Sequence, residues 1–187
     1  MRDLIVTEFV SLDGVMEAPG GEPGYPHAGW VGSYFSAELG AYKQDEQLAA
    51  DVLLLGRRTY ESFAGAWPER EGAMADKINT MRKVVASTTL GSSEWHDTTV
   101  ISSDLEAAVA AIKAEGGGPI LIAGSRSVVH RLLEAGLVDQ INLQVFPLIL
   151  GSGRRVYPDR PTPVKLQLAS SRALDGGVVL QSYRVIG

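Results

Sequence analysis

The most constraining feature of this 187-residue chain is a stretch in which an apolar strand turns sharply into a helix. Residues 53–61 read LLLGRRTYE: three leucines, a glycine that permits a tight turn, and a helix start carrying two arginines. The apolar run is typical of a strand buried on both faces of a parallel sheet. The N-terminus of a helix has unpaired N–H groups and partial positive charge, so it attracts phosphate groups. The stretch therefore predicts a buried sheet with an anion site at a strand end.

A second turn of the same form follows later in the chain. Residues 120–127 read ILIAGSRS, an apolar strand followed by a glycine, two serines and an arginine. Ligands of open α/β sheets bind beyond the carboxyl ends of the strands, so the two turns are expected to hold one ligand. A third strand end, at residues 87–89 (STT), adds hydroxyl groups. Arginine suits the forked recognition of a 2′-phosphate, which favours NADP over NAD. Taken singly, each turn is also common in α/β proteins that bind nothing there.

The order of strands and helices predicts the fold class. The two alternate through most of the chain, which indicates an α/β fold with a mostly parallel sheet. Near the end, two strands at residues 164–169 and 178–183 flank Asp175-Gly176-Gly177 and predict an antiparallel edge. We therefore expect one three-layer α/β domain over residues 1–187.

Helix starts are predicted from capping residues. Ser36 is expected to cap a helix that runs to about Ala50. Ser103 and Glu106 have the spacing of a capping box, in which the serine caps the helix and the glutamate bonds back to the serine N–H.

Composition excludes several classes of function. The chain has no cysteine, which rules out disulfides, a thiol nucleophile and a cysteine-ligated metal. Its three histidines are widely separated, so no metal site is expected. A net charge of −5 argues against a nucleic-acid partner. No apolar run approaches the roughly 20 residues that span a bilayer, and no signal peptide is evident. We expect a cytoplasmic protein that binds a small molecule and no membrane.

The first strand leads into candidate substrate-side residues. The strand, Leu4 to Val10, runs into the turn Ser11-Leu12-Asp13-Gly14, and a Gly- and Pro-rich loop at residues 15–32 is long enough to be a lid. Asp13 is a candidate to bind a substrate amine or hydroxyl, or to help supply a proton. Trp30 and Phe35 are candidates to stack on a flat heterocycle. An Asp before Gly also commonly shapes a turn, and an aromatic loop residue commonly packs in the core. Both roles stay open for each residue.

Four segments in a fixed order resemble a known family. They are VSLDG at residues 10–14, LGRRTYE at 55–61, AGS at 123–125 and VFPLILGSG at 145–153. Together they resemble the dihydrofolate-reductase-like superfamily, most closely the branch related to the C-terminal reductase domain of bifunctional riboflavin-biosynthesis deaminase-reductases. The resemblance covers nearly the whole chain. It implies a mostly parallel sheet flanked by helices, NADPH as the hydride donor, and commonly a homodimer.

The resemblance also implies roles for individual residues. The segment from Ser11 to Gly14 is expected near the nicotinamide and substrate, with Ser11 binding substrate and Asp13 as the catalytic candidate. Three groups are expected around NADPH: its phosphates on Gly56, Arg57, Arg58 and Thr59; its adenosine side near Ser87 and Thr88; its pyrophosphate facing Gly124, Ser125, Arg126 and Ser127.

Departures from the family pattern bear on the substrate. Classical dihydrofolate reductases carry a substrate-binding carboxylate in the helix before the second strand, where this chain has Leu39-Gly40-Ala41 and Glu38 is the nearest acid. The deaminase half of the riboflavin enzymes, which needs cysteine zinc ligands, is missing. The sequence therefore predicts an NADPH-dependent reductase of a small heterocycle, pterin- or pyrimidine-like. The alternative is a non-catalytic NADP(H)-binding or sensor protein on the same fold.

Overall fold

The computed structural model describes residues 1–157 and 163–186. Its strands are β1 (Leu4–Ser11), β2 (Val52–Gly56), β3 (Arg82–Ala86), β4 (Thr98–Ile101), β5 (Ile120–Ala123), β6 (Gln140–Phe146), β7 (Lys165–Ala173) and β8 (Val179–Ile186). Its α-helices are α1 (Ala37–Ala49), α2 (Arg57–Ala66), α3 (Ala73–Thr80), α4 (Leu105–Ala114) and α5 (Arg126–Glu134), and a short 3₁₀ helix covers Gly32–Tyr34.

The eight strands form one mostly parallel sheet with an antiparallel edge, as the sequence predicted. Their order is β4-β3-β2-β5-β1-β6-β8-β7. β2 pairs in parallel with β3 and with β5, and β3 pairs in parallel with β4. β8 pairs antiparallel with both β6 and β7. β7 and β8 are joined by the short segment of residues 174–178, and a connection of this length allows antiparallel pairing.

The chain divides into two compact units, of which the first comprises Met1–Val6 and Lys43–Asp139. Every residue of β2 is buried, in keeping with a strand covered on both faces. The apolar core of this unit consists of Ala50, Leu53, Leu55, Tyr60, Ile78, Met81, Val85 and Leu121. Lys83 is also fully buried, and its ammonium donates to the carbonyl oxygens of Ile78, Asn79 and Met81 at 2.7–3.1 Å. These bonds satisfy carbonyls at the C-terminus of α3 that have no partner within the helix.

The second unit comprises Thr7–Tyr42 and the chain from Gln140 onward. Its core is built around Phe146, which is fully buried. The rings of Phe9, Trp30 and Tyr34 approach Phe146 edge-on, with centroids 5.5, 5.2 and 6.0 Å away. Edge-to-face contacts of this kind match the quadrupoles of the rings and stabilise the cluster beyond its buried area.

One predicted helix cap is confirmed and the other is wrong. Ser36 Oγ accepts from the N–H of Leu39 at 3.1 Å, as expected for a cap of α1. The helix predicted to start at Ser103 is instead preceded by Asp104 in the left-handed region (φ 47°, ψ 47°), without a side-chain capping bond. Glu106 pairs with Arg131 at 2.7–2.9 Å and is not the capping-box partner.

Candidate functional site

Three strand ends of the first unit align at one edge of the sheet. The parallel register places Gly56 at the end of β2 opposite Ala86 at the end of β3. In the pairing of β2 with β5, Leu54 lies opposite Ile122, two residues before each glycine turn. The turns at Gly56 and Gly124 and the hydroxyl run after Ala86 therefore follow neighbouring strands, as the sequence predicted.

The turn at Gly56 leaves no room for a side chain. Gly56 has ordinary extended backbone angles (φ −86°, ψ 166°), so its conformation alone does not require glycine. A Cβ at this position would lie 2.5 Å from Ser125 Oγ and 2.7 Å from Ser125 Cβ. Glycine is required here because the second turn packs directly on the first.

Ser125 joins the two turns through its hydroxyl group. Its Oγ accepts from the N–H of Gly56 at 2.7 Å and lies 2.7 Å from Thr59 Oγ1. Ser125 has φ 77° and ψ 80°, a left-handed conformation that costs a non-glycine residue about 1–2 kcal/mol. Gly124 beside it has φ 82°, and a Cβ there would contact Thr59 Oγ1 at 3.4 Å. The sequence did not reveal this link, because residues 56 and 125 are far apart in the chain.

Arg57 lies at the first helical position of α2 and is exposed. Its Nη1 donates to Thr89 Oγ1 at 3.1 Å, and its Nε lies 3.5 Å from Glu61 Oε1. Thr89 is therefore a further candidate beside Ser87 and Thr88. Its signal in the sequence is its place in the Ser-Thr-Thr run at residues 87–89. Arg57 and this run form a patch of hydroxyl and guanidinium donors.

The other residues predicted to bind the cofactor are either exposed or hydrogen-bonded within their own turn. Arg58, Arg126, Ser127 and Thr88 are exposed. Ser87 is half-buried, and its Oγ accepts from the N–H groups of Thr89 and Leu90 at 3.2 and 2.9 Å, so it shapes the turn after β3.

The geometry of this region fits a phosphorylated ligand. Two helices of ten and nine residues begin directly at the glycine turns, so their N-terminal N–H groups and dipoles lie at the same sheet edge. Residue 56 itself has no side chain. The hydroxyl groups of Thr59 and Ser125 and the guanidinium group of Arg57 lie beside it. These donors could hold an anion, and the Arg57 guanidinium has the forked geometry that suits a monoester phosphate.

Asp13, in the second unit, lies in a turn in which both of its carboxylate oxygens accept hydrogen bonds. Its Oδ1 accepts from Ser11 Oγ at 2.6 Å and from the N–H of Leu150 at 3.1 Å, and its Oδ2 from the N–H of Gly151 at 2.9 Å. The Ser11 hydroxyl, and then these backbone N–H groups, lower the pKa of Asp13 to about 2 against an opposing effect of burial. Asp13 is therefore ionised at neutral pH.

Ser11 stabilises the same turn through two hydrogen bonds of its hydroxyl group. It is 1% exposed, donates to Asp13 and accepts from the N–H of Val15 at 2.9 Å. Arg155 Nη1 in turn donates to the carbonyl oxygen of Asp13. With its hydroxyl buried and both bonds made within the turn, Ser11 shapes the chain at this point.

The two aromatic candidates differ in exposure. Trp30 is 7% exposed, donates from Nε1 to the carbonyl oxygen of Glu17 at 2.8 Å, and packs on Phe146. This is the core role that the sequence left open for it. Phe35 is 52% exposed, so its ring is accessible to a ligand.

The loop at residues 15–32 is fastened at several points. Glu17 Oε2 accepts from the N–H of Arg154 at 2.8 Å, and Tyr25 donates from its hydroxyl to the carbonyl oxygen of Ser152 at 2.7 Å. Val15 forms an isolated antiparallel bridge with Arg155. The base of the predicted lid is thus held by residues 152–155.

The described residues contain neither a membrane-spanning helix nor a cluster of metal-ligating side chains. None of the helices in residues 1–157 and 163–186 is long and apolar enough to cross a bilayer. Over the same residues, no three acidic or histidine side chains gather where they would hold a metal ion.

Comparison with known proteins identifies a family and a fold. The family model of the RibD C-terminal domain matches residues 2–180. The uncharacterized protein YyaP of Bacillus subtilis (strain 168) is 25% identical over 187 residues, covering 97% of this chain and 94% of YyaP. A candidate riboflavin-biosynthesis protein from Shewanella sp. PV-4 superposes with a TM-score of 0.78 at 18% identity, over the whole of both chains. Dihydrofolate reductase from Enterococcus faecalis, in a complex with NADP(H), gives 0.65 at 16% identity over 99% of this chain and 97% of its own.

Proposed function

The chain belongs to the RibD C-terminal domain family, and on that premise we propose that it is an NADPH-dependent reductase of a small heterocyclic substrate, pterin- or pyrimidine-like. The observation that carries the proposal is the pair of glycine turns at one sheet edge, joined by the bonds of Ser125 and bordered by exposed arginines. Such an edge offers helix N-termini, hydroxyls and guanidinium groups to a dinucleotide with three phosphates.

In this proposal the residues of the first unit bind and orient the cofactor. Bound NADPH supplies a hydride. The helix N-termini after Gly56 and Gly124 bind its pyrophosphate, and Arg57 with Thr89 binds the 2′-phosphate in a forked geometry. Arg58, Arg126 and Ser127 add positive charge and a hydroxyl at the rim.

The position of Glu38 supports a substrate other than dihydrofolate. Glu38, in the first turn of α1, is the nearest acid to the expected carboxylate, and it is already paired. Its Oε1 accepts from Arg172 Nη1, and its Oε2 from the N–H of Asp175 at 3.3 Å. A carboxylate engaged in this way is a poor partner for a pteridine ring. The exposed ring of Phe35 remains our candidate for stacking on the substrate.

The sensor alternative is favoured by one observation, the three hydrogen bonds that engage the Asp13 carboxylate within its own turn. These bonds lower the pKa of Asp13, which makes it a poor proton donor to a reduced carbon–nitrogen or carbonyl bond. In the reductase, solvent water is then the source of that proton, and Asp13 holds the shape of the turn. In a sensor, no proton is needed at all.

Two measurements separate these functions. The reductase and the sensor both predict that NADPH raises the melting temperature of the protein. Only the reductase predicts that the absorbance of the reduced nicotinamide falls when a panel of pterins, pyrimidines and small carbonyl compounds is added. Stabilisation without turnover across the panel would favour the sensor. No stabilisation by NADPH or by NADH would contradict both.

The homodimer implied by the family resemblance remains a proposal, and β7 is the surface we assign to it. All nine residues of this terminal strand are exposed, including Leu168 at 54%. An uncovered edge strand with apolar side chains is a template for association. Light scattering coupled to size-exclusion chromatography tests it: Leu168→Lys is expected to shift a dimer toward monomer, and a wild-type monomer would contradict the proposal.

A further inference from the structure

Ser125 has a left-handed backbone conformation typical of glycine, and its side chain links the two glycine turns. Few side chains occupy φ 77°, and this one makes two hydrogen bonds from a single oxygen. One bond receives the N–H of Gly56, which begins the turn into α2. The other meets Thr59 on the first turn of that helix. Both partners belong to the other glycine turn, so Ser125 sets the spacing of the two turns.

The two hydroxyl groups of Ser125 and Thr59 share one hydrogen between their oxygens. Ser125 Oγ and Thr59 Oγ1 are 2.7 Å apart, and either oxygen donates to the other. Each hydroxyl carries one hydrogen. Whichever oxygen donates, one hydrogen lies between them and a single hydrogen is left to point elsewhere. The pair therefore offers an incoming anion one O–H donor, where two independent hydroxyls would offer two.

We propose that Ser125 is a positioning residue for the cofactor turns and acts with Thr59 as one unit. Ser125 holds the N–H of Gly56 and orders the Thr59 hydroxyl, and the pair presents one O–H donor to the pyrophosphate. This inference rests on the proposed binding of NADPH. It replaces the expectation that Ser125 and Thr59 each contact phosphate separately.

A double-mutant cycle tests the inference by the affinity for NADPH. Ser125→Ala keeps the left-handed backbone strained and removes the hydroxyl, and Thr59→Val replaces the other hydroxyl with a methyl group of similar size. Each single variant is expected to bind NADPH about tenfold more weakly, since about 1.4 kcal/mol corresponds to tenfold. The double variant is expected to bind no more than twofold more weakly than the weaker single variant. Independent hydroxyls would instead give about a hundredfold loss, which overturns the proposal.

Controls separate positioning from general loss of structure. Thr59→Ser keeps the hydroxyl and is expected to bind within about threefold of wild type. Ser103→Ala changes an exposed serine of the same unit that makes no capping bond, and is expected to bind as wild type. Calorimetric titrations are made well below the melting temperature of every variant, which circular dichroism determines first.

Phosphorus NMR of bound NADPH supplies a readout that destabilisation alone does not change. At saturating protein, Ser125→Ala and Thr59→Val are expected to shift the pyrophosphate resonances in the same direction and leave the 2′-phosphate resonance in place. Pyrophosphate resonances identical to those of wild type in both variants would overturn the inference. If wild type itself binds no NADPH, the proposed function fails and the inference fails with it. Binding by wild type with additive losses overturns the inference alone.

Discussion

The turns at Asp13 and at Gly56 both follow a strand and both carry charge, but they use it in opposite ways. The Asp13 carboxylate accepts three hydrogen bonds from its own unit, from Ser11, Leu150 and Gly151. Arg57 in the first unit is exposed at a helix N-terminus, where its Nη1 donates to Thr89 Oγ1 and its Nε lies 3.5 Å from Glu61 Oε1.

The difference separates a charge that shapes the chain from a charge that we propose binds a ligand. A carboxylate filled by backbone donors is held in one place and resists protonation, so its contribution is to structure. A guanidinium beside helix N–H groups and hydroxyls keeps donors directed at solvent, and an anion is its natural partner. In this protein the ligand-binding residues are therefore expected mainly among the exposed charges, and Asp13 mainly among the structural ones.

The largest expected effect comes from Gly56→Ala, because the new methyl group would overlap Ser125. We expect a loss of about 2–3 kcal/mol in the free energy of unfolding, typical of an overpacked site, and at least a tenfold loss of NADPH affinity. Urea denaturation and calorimetric titration measure the two quantities.

Two companion variants sharpen the Gly56 prediction. Adding Ser125→Gly removes the overlapping atoms and is expected to restore more than half of the lost stability. Gly65→Ala, in open space on α2, is the matched control and is expected to stabilise the protein by about 0.5–1 kcal/mol. If Gly56→Ala is tolerated as well as Gly65→Ala, the contact with Ser125 is not what fixes glycine at position 56.

Asp13→Asn tests the structural half of the comparison. The amide retains the size of the carboxylate but weakens its charge-assisted bonds, so we expect a loss of about 1–2 kcal/mol in the free energy of unfolding. NADPH affinity is expected to stay within twofold. Asp45→Asn, at an exposed position of α1, is the control and should leave stability unchanged. A large loss of turnover with unchanged stability would return Asp13 to a catalytic role.

Arg57→Ala tests the ligand half. We expect roughly a tenfold weaker affinity for NADPH, about 1.4 kcal/mol, and less than a threefold change for NADH, which lacks the 2′-phosphate. Stability should change by under about 0.5 kcal/mol because the side chain is exposed. Arg131→Ala, an exposed arginine paired with Glu106, serves as the control. Equal losses for the two cofactors would contradict the assignment to the 2′-phosphate.

The smallest expected effect is the loss of stability when acid protonates Asp13. The pKa of Asp13 is lowered from 3.8 to about 2 in the folded protein, so its contribution to stability is present above pH 4 and lost as the pH falls to 2. Allowing for solvent screening, we expect about 1 kcal/mol more loss over this interval in wild type than in Asp13→Asn. Urea denaturation at a series of pH values measures this difference. Parallel pH profiles for wild type and Asp13→Asn would contradict a stabilising role for the hydrogen bonds to the carboxylate.

The sequence predicted features that depend on local pattern. The apolar run before Gly56 identified a strand buried on both faces, and Ser36 identified the start of α1. The same kind of reasoning was wrong at Ser103, because Asp104 adopts a left-handed conformation that moves the helix start to Leu105. Backbone conformation at one residue overrode a spacing rule that was otherwise satisfied.

The features that the sequence missed depend on contacts between distant residues. The bond from Gly56 to Ser125 spans 69 positions, and that of Gly151 to Asp13 spans 138. Neither leaves a local pattern, so the requirement for glycine at position 56 and the low pKa of Asp13 became visible only with the fold. Trp30 was ambiguous for the same reason, since its ring is buried in a cluster that includes Phe146, which is distant in the chain.

The division of the chain into two units has a consequence for the order in which the protein is made. The first unit is complete once Asp139 has been synthesised, because Met1–Val6 and Lys43–Asp139 are then all present. The second unit begins at Thr7 but has its central ring, Phe146, in the segment made after that point. On the ribosome, Asp13 therefore lacks Leu150 and Gly151, and Trp30 lacks Phe146, at a stage when Gly56 and Ser125 are both already present.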